Sequence, residues 1–386
     1  MNKKILFVIP SMEIGGTRSS LLNLLNILSR ISDSEFYLFI IKHEGDLYSQ
    51  IPQSVKVLPE IKLLSWATPT RRKHSFLREA YHSIIAMLNK LFGYQRIYRT
   101  ILNISGIKKH LSTFDISIGY QEGIATFVSS EVISRQYFCW IHSDIDKWYD
   151  EKNLEVEAYD KAQNIFFVAD NTRKLFVSKF PRWEEKCEVI KNLLNKESIV
   201  QKSQESIKEY YFDQNQFNIV SVGRFTEAKA FDRVVAVAKY LKSKKHSFRW
   251  FLIGSGELQD KIDKLVHAEK LTDYVILLGS KDNPYPYIKM ANLVVVSSIN
   301  ESQPMVILEA LTLSKPVVST GYPSAMEILK DGKYGYICDN DVHSLCVAVD
   351  RVITDKELYE RLVSGAKDYD YNNVAILEKM RSLISF

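Results

Sequence analysis

Residues Asn300-Glu301-Ser302-Gln303-Pro304-Met305-Val306-Ile307-Leu308-Glu309-Ala310-Leu311 lie between two short apolar runs, Leu293-Val294-Val295-Val296 ahead of them and Pro316-Val317-Val318-Ser319-Thr320 behind. β-branched runs of this length on either side of a helix-prone segment predict a strand–helix–strand unit of a parallel sheet. Glu301 falls just before the helix and Glu309 in its second turn. The pair is thereby placed at the C-terminal edge of the sheet, where open α/β folds bind ligands. A capped helix with two incidental carboxylates is the plain alternative.

The same alternation of strand and helix runs through the chain, so the fold class is α/β. Candidate strands in the first half are Lys4–Pro10, Phe36–Ile41, Val55–Leu58, Ile116–Ile118, Tyr137–Ile141 and Ile165–Val168. In the second half they are Phe217–Gly223, Arg249–Gly254, Val275–Gly279, Leu293–Ser298 and Val317–Thr320. With 386 residues the chain suits two domains. The polar, helix-prone segment Asn195–Gln214 separates them, which gives domains 1–200 and 201–370 and a terminal helical segment, 371–386. Hydrophobic residues at 46% and charged residues at 25% describe a soluble globular protein. No apolar run reaches the roughly 20 residues of a membrane span, and the first residues do not read as a signal peptide. Cys139, Cys187, Cys338 and Cys346 lie far apart, which favours neither a disulfide framework nor a zinc site and suits a reducing, cytoplasmic setting.

Several strand ends carry polar or glycine-rich loops. Val220-Ser221-Val222-Gly223-Arg224-Phe225-Thr226-Glu227-Ala228-Lys229 places Arg224 and Lys229 in a loop that starts a helix. Arginine can grip two oxygens and lysine supplies a point charge, although two surface cations in a βα loop would look the same. Leu252-Ile253-Gly254-Ser255-Gly256-Glu257 is a strand–glycine turn without the full dinucleotide fingerprint, as consistent with a tight turn as with a ligand loop. Gly279-Ser280-Lys281-Asp282-Asn283-Pro284-Tyr285 follows the next strand. In the first half, Gly15 and Gly16 follow strand Lys4–Pro10, with Arg18 beyond, and His142 ends the strand Tyr137–Ile141. Asp144-Ile145-Asp146 resembles a metal-binding D-x-D, and Asp339-Asn340-Asp341 reads as a polar turn.

Taken together, these loops resemble the retaining glycosyltransferases of the GT-B fold, family 4 in particular. The resemblance is dense from Val220 to Tyr336 and thin from Leu58 to Phe114. It implies two Rossmann-like domains whose parallel sheets face a central cleft, and a C-terminal helix that crosses back to the first domain. It implies transfer from a nucleotide-sugar, a UDP-sugar above all, to a hydroxyl, with closure about Asn195–Gln214 excluding water. Glu309 would bond the donor ribose and Glu301 would sit near the transferred sugar. The backbone N–H groups of Gln303, Pro304, Met305 and Val306, proline excepted, would face the diphosphate at a helix N-terminus. Arg224 and Lys229 would stabilise the leaving charge. The loop of Ser280 and Pro284 would read the base, Gly15, Gly16 and Gly254 would let backbone approach the donor, and His142 would contact the sugar. The catalytic set is thus Glu301, His142, Arg224 and Lys229, with no cofactor and no obligatory metal, so Asp144 and Asp146 are not read as ligands. Three departures stand out: Ala230 and Ser314 replace common glycines, and Ser302-Gln303 replaces Gly-Phe.

The net charge of +5 is unevenly spread. From 71 to 110 there are nine basic residues (Arg71, Arg72, Lys73, Arg78, Lys90, Arg96, Arg99, Lys108, Lys109) and one acid, Glu79. Ile84, Leu88 and Leu91 recur among them at helical spacing, which predicts one or two amphipathic helices. Such helices suit the anionic inner face of a cell membrane, where a lipid-linked glycan acceptor of capsule, exopolysaccharide or cell-wall synthesis would be met; a solvated helix face is the plain alternative. No nucleic-acid-binding motif accompanies the charge. Two other readings fit the same loops: an idle GT-B partner protein, and a transferase acting on a protein or a soluble acceptor.

Overall fold

The computed structural model describes residues 2–68, 76–104, 111–143, 156–207, 212–213, 215–330 and 332–384. They form two compact units, Met1–Leu193 with Val374–Phe386, and Leu194–Asn373.

The first unit runs β1 (Lys4–Ile9), α1 (Gly16–Ile31), β2 (Glu35–Ile40), β3 (Lys56–Val57), α2 (Lys62–Ala67), α3 (Phe76–Phe92), α4 (Tyr94–Ile104), β4 (Ser112–Gly119), α5 (Ile124–Ser130), β5 (Ile133–Ile141), α6 (Val156–Lys161), β6 (Asn164–Phe167), α7 (Asp170–Lys179) and β7 (Cys187–Val189). Among the described residues its seven strands are ordered β3-β2-β1-β4-β5-β6-β7 and pair in parallel. Near-continuous burial of β1 (Ile5 to Ile9) follows from helices covering both faces. On one face Leu21, Leu24, Leu25 and Leu28 of α1 pack on Phe7 and Ile9; on the other, Ile85 of α3 and Tyr98, Ile101 and Leu102 of α4 pack on Leu6 and Val8.

The second unit contains α8 (Lys196–Lys202), β8 (Phe217–Val222), α9 (Phe231–Ser243), β9 (Phe248–Ile253), α10 (Gln259–Ala268), β10 (Val275–Gly279), α11 (Tyr285–Met290), β11 (Leu293–Val296), α12 (Met305–Thr312), β12 (Val317–Thr320), α13 (Pro323–Leu329), β13 (Tyr336–Cys338), α14 (Val342–Thr354), α15 (Lys356–Lys367) and the start of α16 (Asn373–Leu383). Its described strands are ordered β10-β9-β8-β11-β12-β13, again parallel. The order reverses between β8 and β11, so the loops that follow these two strands emerge side by side. That position is the ligand-binding switch point of open α/β sheets.

The segment read from sequence as a linker is partly helical: α8 belongs to the second unit and packs on α11 and α12. The chain passes between the units at Leu193/Leu194 and again at Asn373/Val374, and the two crossings are joined. Asn373 Oδ1 accepts from Leu194 N at 3.1 Å, and Asn373 Nδ2 donates to Leu194 O at 2.7 Å. Beyond the second crossing, Met380 and Ile384 are buried among the apolar residues of the first unit. Edge strands β7 and β13, of three residues each, were not among the candidate strands.

Candidate active site

Two loops at the switch point of the second unit are stitched together. After β8 the chain makes a short 3₁₀ turn, Glu227–Lys229, and enters α9 through Ala230. After β11 it runs through Ser297–Pro304 into α12. Ile299 N donates to Ala228 O at 2.8 Å, and Ser297 Oγ donates to Lys229 O at 2.8 Å. The consequence is a direct ion pair, Lys229 Nζ to Glu301 Oε2 at 2.5 Å. The other carboxylate oxygen of Glu301 accepts from Ser298 Oγ at 2.6 Å and Tyr322 Oη at 3.5 Å, while its backbone carbonyl accepts from Ser324 Oγ. Glu301 is therefore fixed from three loops and remains half-buried rather than sealed.

Ala230 sits at φ +48, inside the left-handed region that glycine occupies without strain. The methyl group at this position changes the ease of the turn and leaves Lys229 in place.

Glu309 projects from the second turn of α12 and is 7% exposed. Burial pushes its carboxyl up to about 7, opposed by a hydrogen bond from Tyr285 and by the charge of Lys229. Tyr285 Oη donates to Glu309 Oε1 at 3.3 Å, and burial beside that carboxylate raises the phenol well above its ordinary value. Helix α12 begins at Met305, with Pro304 as its N-cap. Gln303 Nε2 donates to Tyr371 Oη at 2.9 Å, which turns the side chain at the Gly-Phe departure toward the second unit's own tail.

Of the remaining expected donor groups, Arg224 stands half-buried in the loop after β8. Gly254 takes φ +143, and a Cβ there would meet the Gly223 carbonyl at 1.9 Å; one on Gly256 would meet Phe225 O at 2.4 Å. Contact between the loops after β8 and β9 thus accounts for both glycines. Ser280 Oγ shares a hydrogen bond with Ser255 Oγ at 2.7 Å, and Pro284 caps α11.

In the first unit the switch point lies between β1 and β4. Gly15 caps α1 in extended backbone, and a Cβ on Gly16 would meet nothing within 4 Å, so no internal packing demands glycine at Gly16. His142 ends β5. Its ring lies 4.7 Å from that of Tyr120, and its Nε2 is buried without a hydrogen-bond partner among the described residues. Burial, with the Arg18 charge nearby, pushes the imidazole down to about 3, so it is neutral at pH 7. Glu122, in the loop after β4, accepts from the His142 backbone N–H at 3.0 Å and from Ser143 Oγ. Asp144 and Asp146 lie outside the described residues. Among the described residues no group of three or more His, Cys, Asp or Glu side chains is placed to hold a metal ion.

Sequence reasoning missed the residues that hold the carboxylates. Ser298 and Tyr322 bond Glu301, Tyr285 bonds Glu309, and Glu122 holds the His142 turn. Asn340, read as part of a polar turn, donates to Ile299 O at 2.7 Å and accepts from Arg233 Nη1 at 2.5 Å, bracing the loop of Glu301. Only Ser297-Ser298, two hydroxyls directly after a β-branched strand, carried a local signal of this role.

Similarity to known proteins agrees with this geometry. The chain is 29% identical over 164 residues to an uncharacterised glycosyltransferase of Methanocaldococcus jannaschii, covering 42% of this chain and 40% of that protein. It is 28% identical over 211 residues to the Campylobacter jejuni N-acetylgalactosamine-N,N'-diacetylbacillosaminyl-diphospho-undecaprenol 4-alpha-N-acetylgalactosaminyltransferase, covering 54% and 56%. The matches therefore span about half the length of these relatives. The crystal structure of Anabaena HepE in complex with UDP and glucose superposes over 100% of both chains with a TM-score of 0.74 at 17% identity, a likeness of fold, which is GT-B. The model of the family described as glycosyl transferases group 1 matches residues 177–369, half of the chain and the whole of the loop set around Lys229, Glu301 and Glu309; this protein belongs to that family.

Proposed function

We propose that this protein transfers a sugar from a nucleotide-activated donor, a UDP-sugar, to a hydroxyl group with retention of anomeric configuration. The observation that carries the reading is the convergence of Lys229, Glu301 and Glu309 on the switch point of the second unit. Breaking the bond from the anomeric carbon to the phosphate oxygen leaves a diphosphate with one more negative charge. Lys229 and Arg224, with the N-terminus of α12, are the groups assigned to that charge, so the reading needs no metal or cofactor. Lys229 exchanges Glu301 for the diphosphate when the donor binds, which frees Glu301 for the sugar hydroxyls. Ionised Glu309 accepts from the ribose hydroxyls. The acceptor oxygen forms its bond to the anomeric carbon on the face the diphosphate leaves, and its proton passes to a phosphate oxygen. The neutral imidazole of His142 is assigned to a sugar hydroxyl.

UDP as the nucleotide is supported by the UDP complex of HepE, and a lipid-linked glycan acceptor by the name of the Campylobacter relative. On this reading the protein serves capsule, exopolysaccharide or cell-wall glycan assembly and works at the inner membrane face, touching it through 71–110.

A thermal-shift panel of UDP, GDP, ADP and dTDP with their sugars tests the donor, since a ligand that binds only the folded state raises its melting temperature. UDP and one UDP-sugar are expected to shift the wild type, and Lys229→Ala to abolish the shift. In a transfer assay with the sugar so found, Lys229→Ala is expected to lose about 10²–10³ in rate. Turnover within threefold of wild type would refute the assignment.

A further inference from the structure

Helix α3 has two apolar faces, and among the described residues only one has a partner in the fold. Ile85 is buried in the first unit, with Tyr81 and Leu88 packed beside it. Leu77, Ile84, Met87 and Leu91 stand on the adjoining face, 72%, 52%, 55% and 66% exposed, with Phe92 54% exposed at the end of the helix. Spacings of seven, three and four residues bring the first four into one stripe, roughly 21 Å long at 1.5 Å per residue. Other large apolar side chains at the surface, such as Ile31, Ile133 and Val200, are scattered in sequence. A contiguous exposed stripe marks an interaction surface rather than ordinary surface composition.

The charge around the stripe selects the partner. Arg78 and Arg99 are engaged within the unit, Arg78 with Glu44 at 2.9 Å and Arg99 with Glu157 at 2.7 Å. Lys90, beside Leu91, and Arg96, in the first turn of α4, are exposed. In sequence, the segment from 71 to 110 holds nine basic residues and one acid, an excess that disfavours a second copy of the same segment and favours an anionic partner. Tyr98 Oη donates to Ala67 O at 2.6 Å and fixes α4, with α3 packed on it, to the body of the unit.

We infer that the outer face of α3 is a membrane-docking surface: Leu77, Ile84, Met87 and Leu91 insert at the headgroup boundary of an anionic leaflet while Lys90 and Arg96 meet the lipid phosphates. This deepens the lipid-acceptor reading, on which it rests for its purpose. It differs from a cationic patch resting on the lipid, because insertion of apolar side chains resists salt and charge pairing does not.

Flotation of the whole protein with phosphatidylcholine vesicles containing roughly 30 mol% phosphatidylglycerol, at low and high salt, tests the inference without donor or acceptor. Its failure would therefore leave sugar transfer standing. Wild type is expected to float, with a fraction persisting at high salt. Ile84→Gln/Leu91→Gln, both exposed positions with a good helix former, should keep the melting temperature and weaken binding at least about tenfold at both salt levels. Lys90→Gln/Arg96→Gln should weaken it chiefly at low salt. Wild type that stays with the unbound fraction, or a stripe variant that floats equally well, would overturn the inference. So would a wild-type dimer that the stripe variant splits while neither binds vesicles.

Discussion

At the scale of single residues, Glu309, which is buried, and His142, which is half-buried with its Nε2 enclosed, are ionisable groups displaced in opposite directions. The Glu309 carboxyl lies near 7 in the folded protein against an ordinary 4.5. The native state therefore holds this proton more tightly than the unfolded chain does. The associated stability is fully present below about pH 4.5 and is lost as pH rises through 7, a change of roughly 3 kcal/mol. Glu309→Gln has no proton to lose, so its melting temperature is expected to gain on wild type between pH 5 and pH 8 while its UDP shift falls. A constant difference across that range would remove Glu309 as the titrating group. The His142 imidazole is depressed from 6.5 to about 3, so its contribution is present above about pH 6.5 and fades as pH falls toward 3. Both shifts are desolvation effects that follow from burial at sheet edges; the identities of the residues alone do not carry them.

At the scale of elements, α12 shows how a helix end can limit stability without touching the chemistry. It closes with Lys315 N donating to Ala310 O at 2.9 Å and Ser314 N to Leu311 O at 2.9 Å, the two bonds of a Schellman motif. The residue that must turn left-handed is Ser314, at φ +55. Its Cβ makes that conformation costly, which is what a serine does here in place of the glycine that the resemblance led us to expect. Ser314→Gly is expected to stabilise the second unit by about 1 kcal/mol, raising its melting temperature by roughly 2–4 °C with unchanged UDP binding. A lowered melting temperature would mean that the serine hydroxyl matters more than the backbone. On α3 periodicity foretold an amphipathic helix, but its width was not legible, because Ile84 and Ile85 are alike as letters and differ only in what the neighbouring helices cover.

At the scale of the whole molecule, the first unit is completed by the last residues of the chain. Met380 and Ile384 are buried in its core, Ile376, Leu377 and Leu383 pack against it, and Lys379 pairs with Glu188 at 2.9 Å. Ending the chain at Asn373 removes apolar burial worth on the order of 5 kcal/mol from the first unit and little from the second. The expected result is an early melting transition for the first unit and a second unit that still responds to UDP. A single transition at the wild-type temperature would contradict the packing.

Eleven of the thirteen described strands and the parallel α/β class were legible in the sequence, and Arg224, Lys229, Glu301 and Glu309 stood out there as candidates, because each rests on local pattern: β-branched runs, a helical apolar repeat, and charged residues directly after a strand. Tertiary structure alone decided which of these groups meet. Lys229 and Glu301 are 72 residues apart and become an ion pair because β8 and β11 are neighbours at the sheet reversal. Tyr285, Tyr322 and Asn340 have no motif of their own, since a hydrogen-bond partner is chosen by distance across loops and leaves no period in the chain. The same holds for the perturbed carboxyl of Glu309 and the neutral imidazole of His142. Charge and periodicity are written along the chain, whereas desolvation exists only once the neighbours are in place.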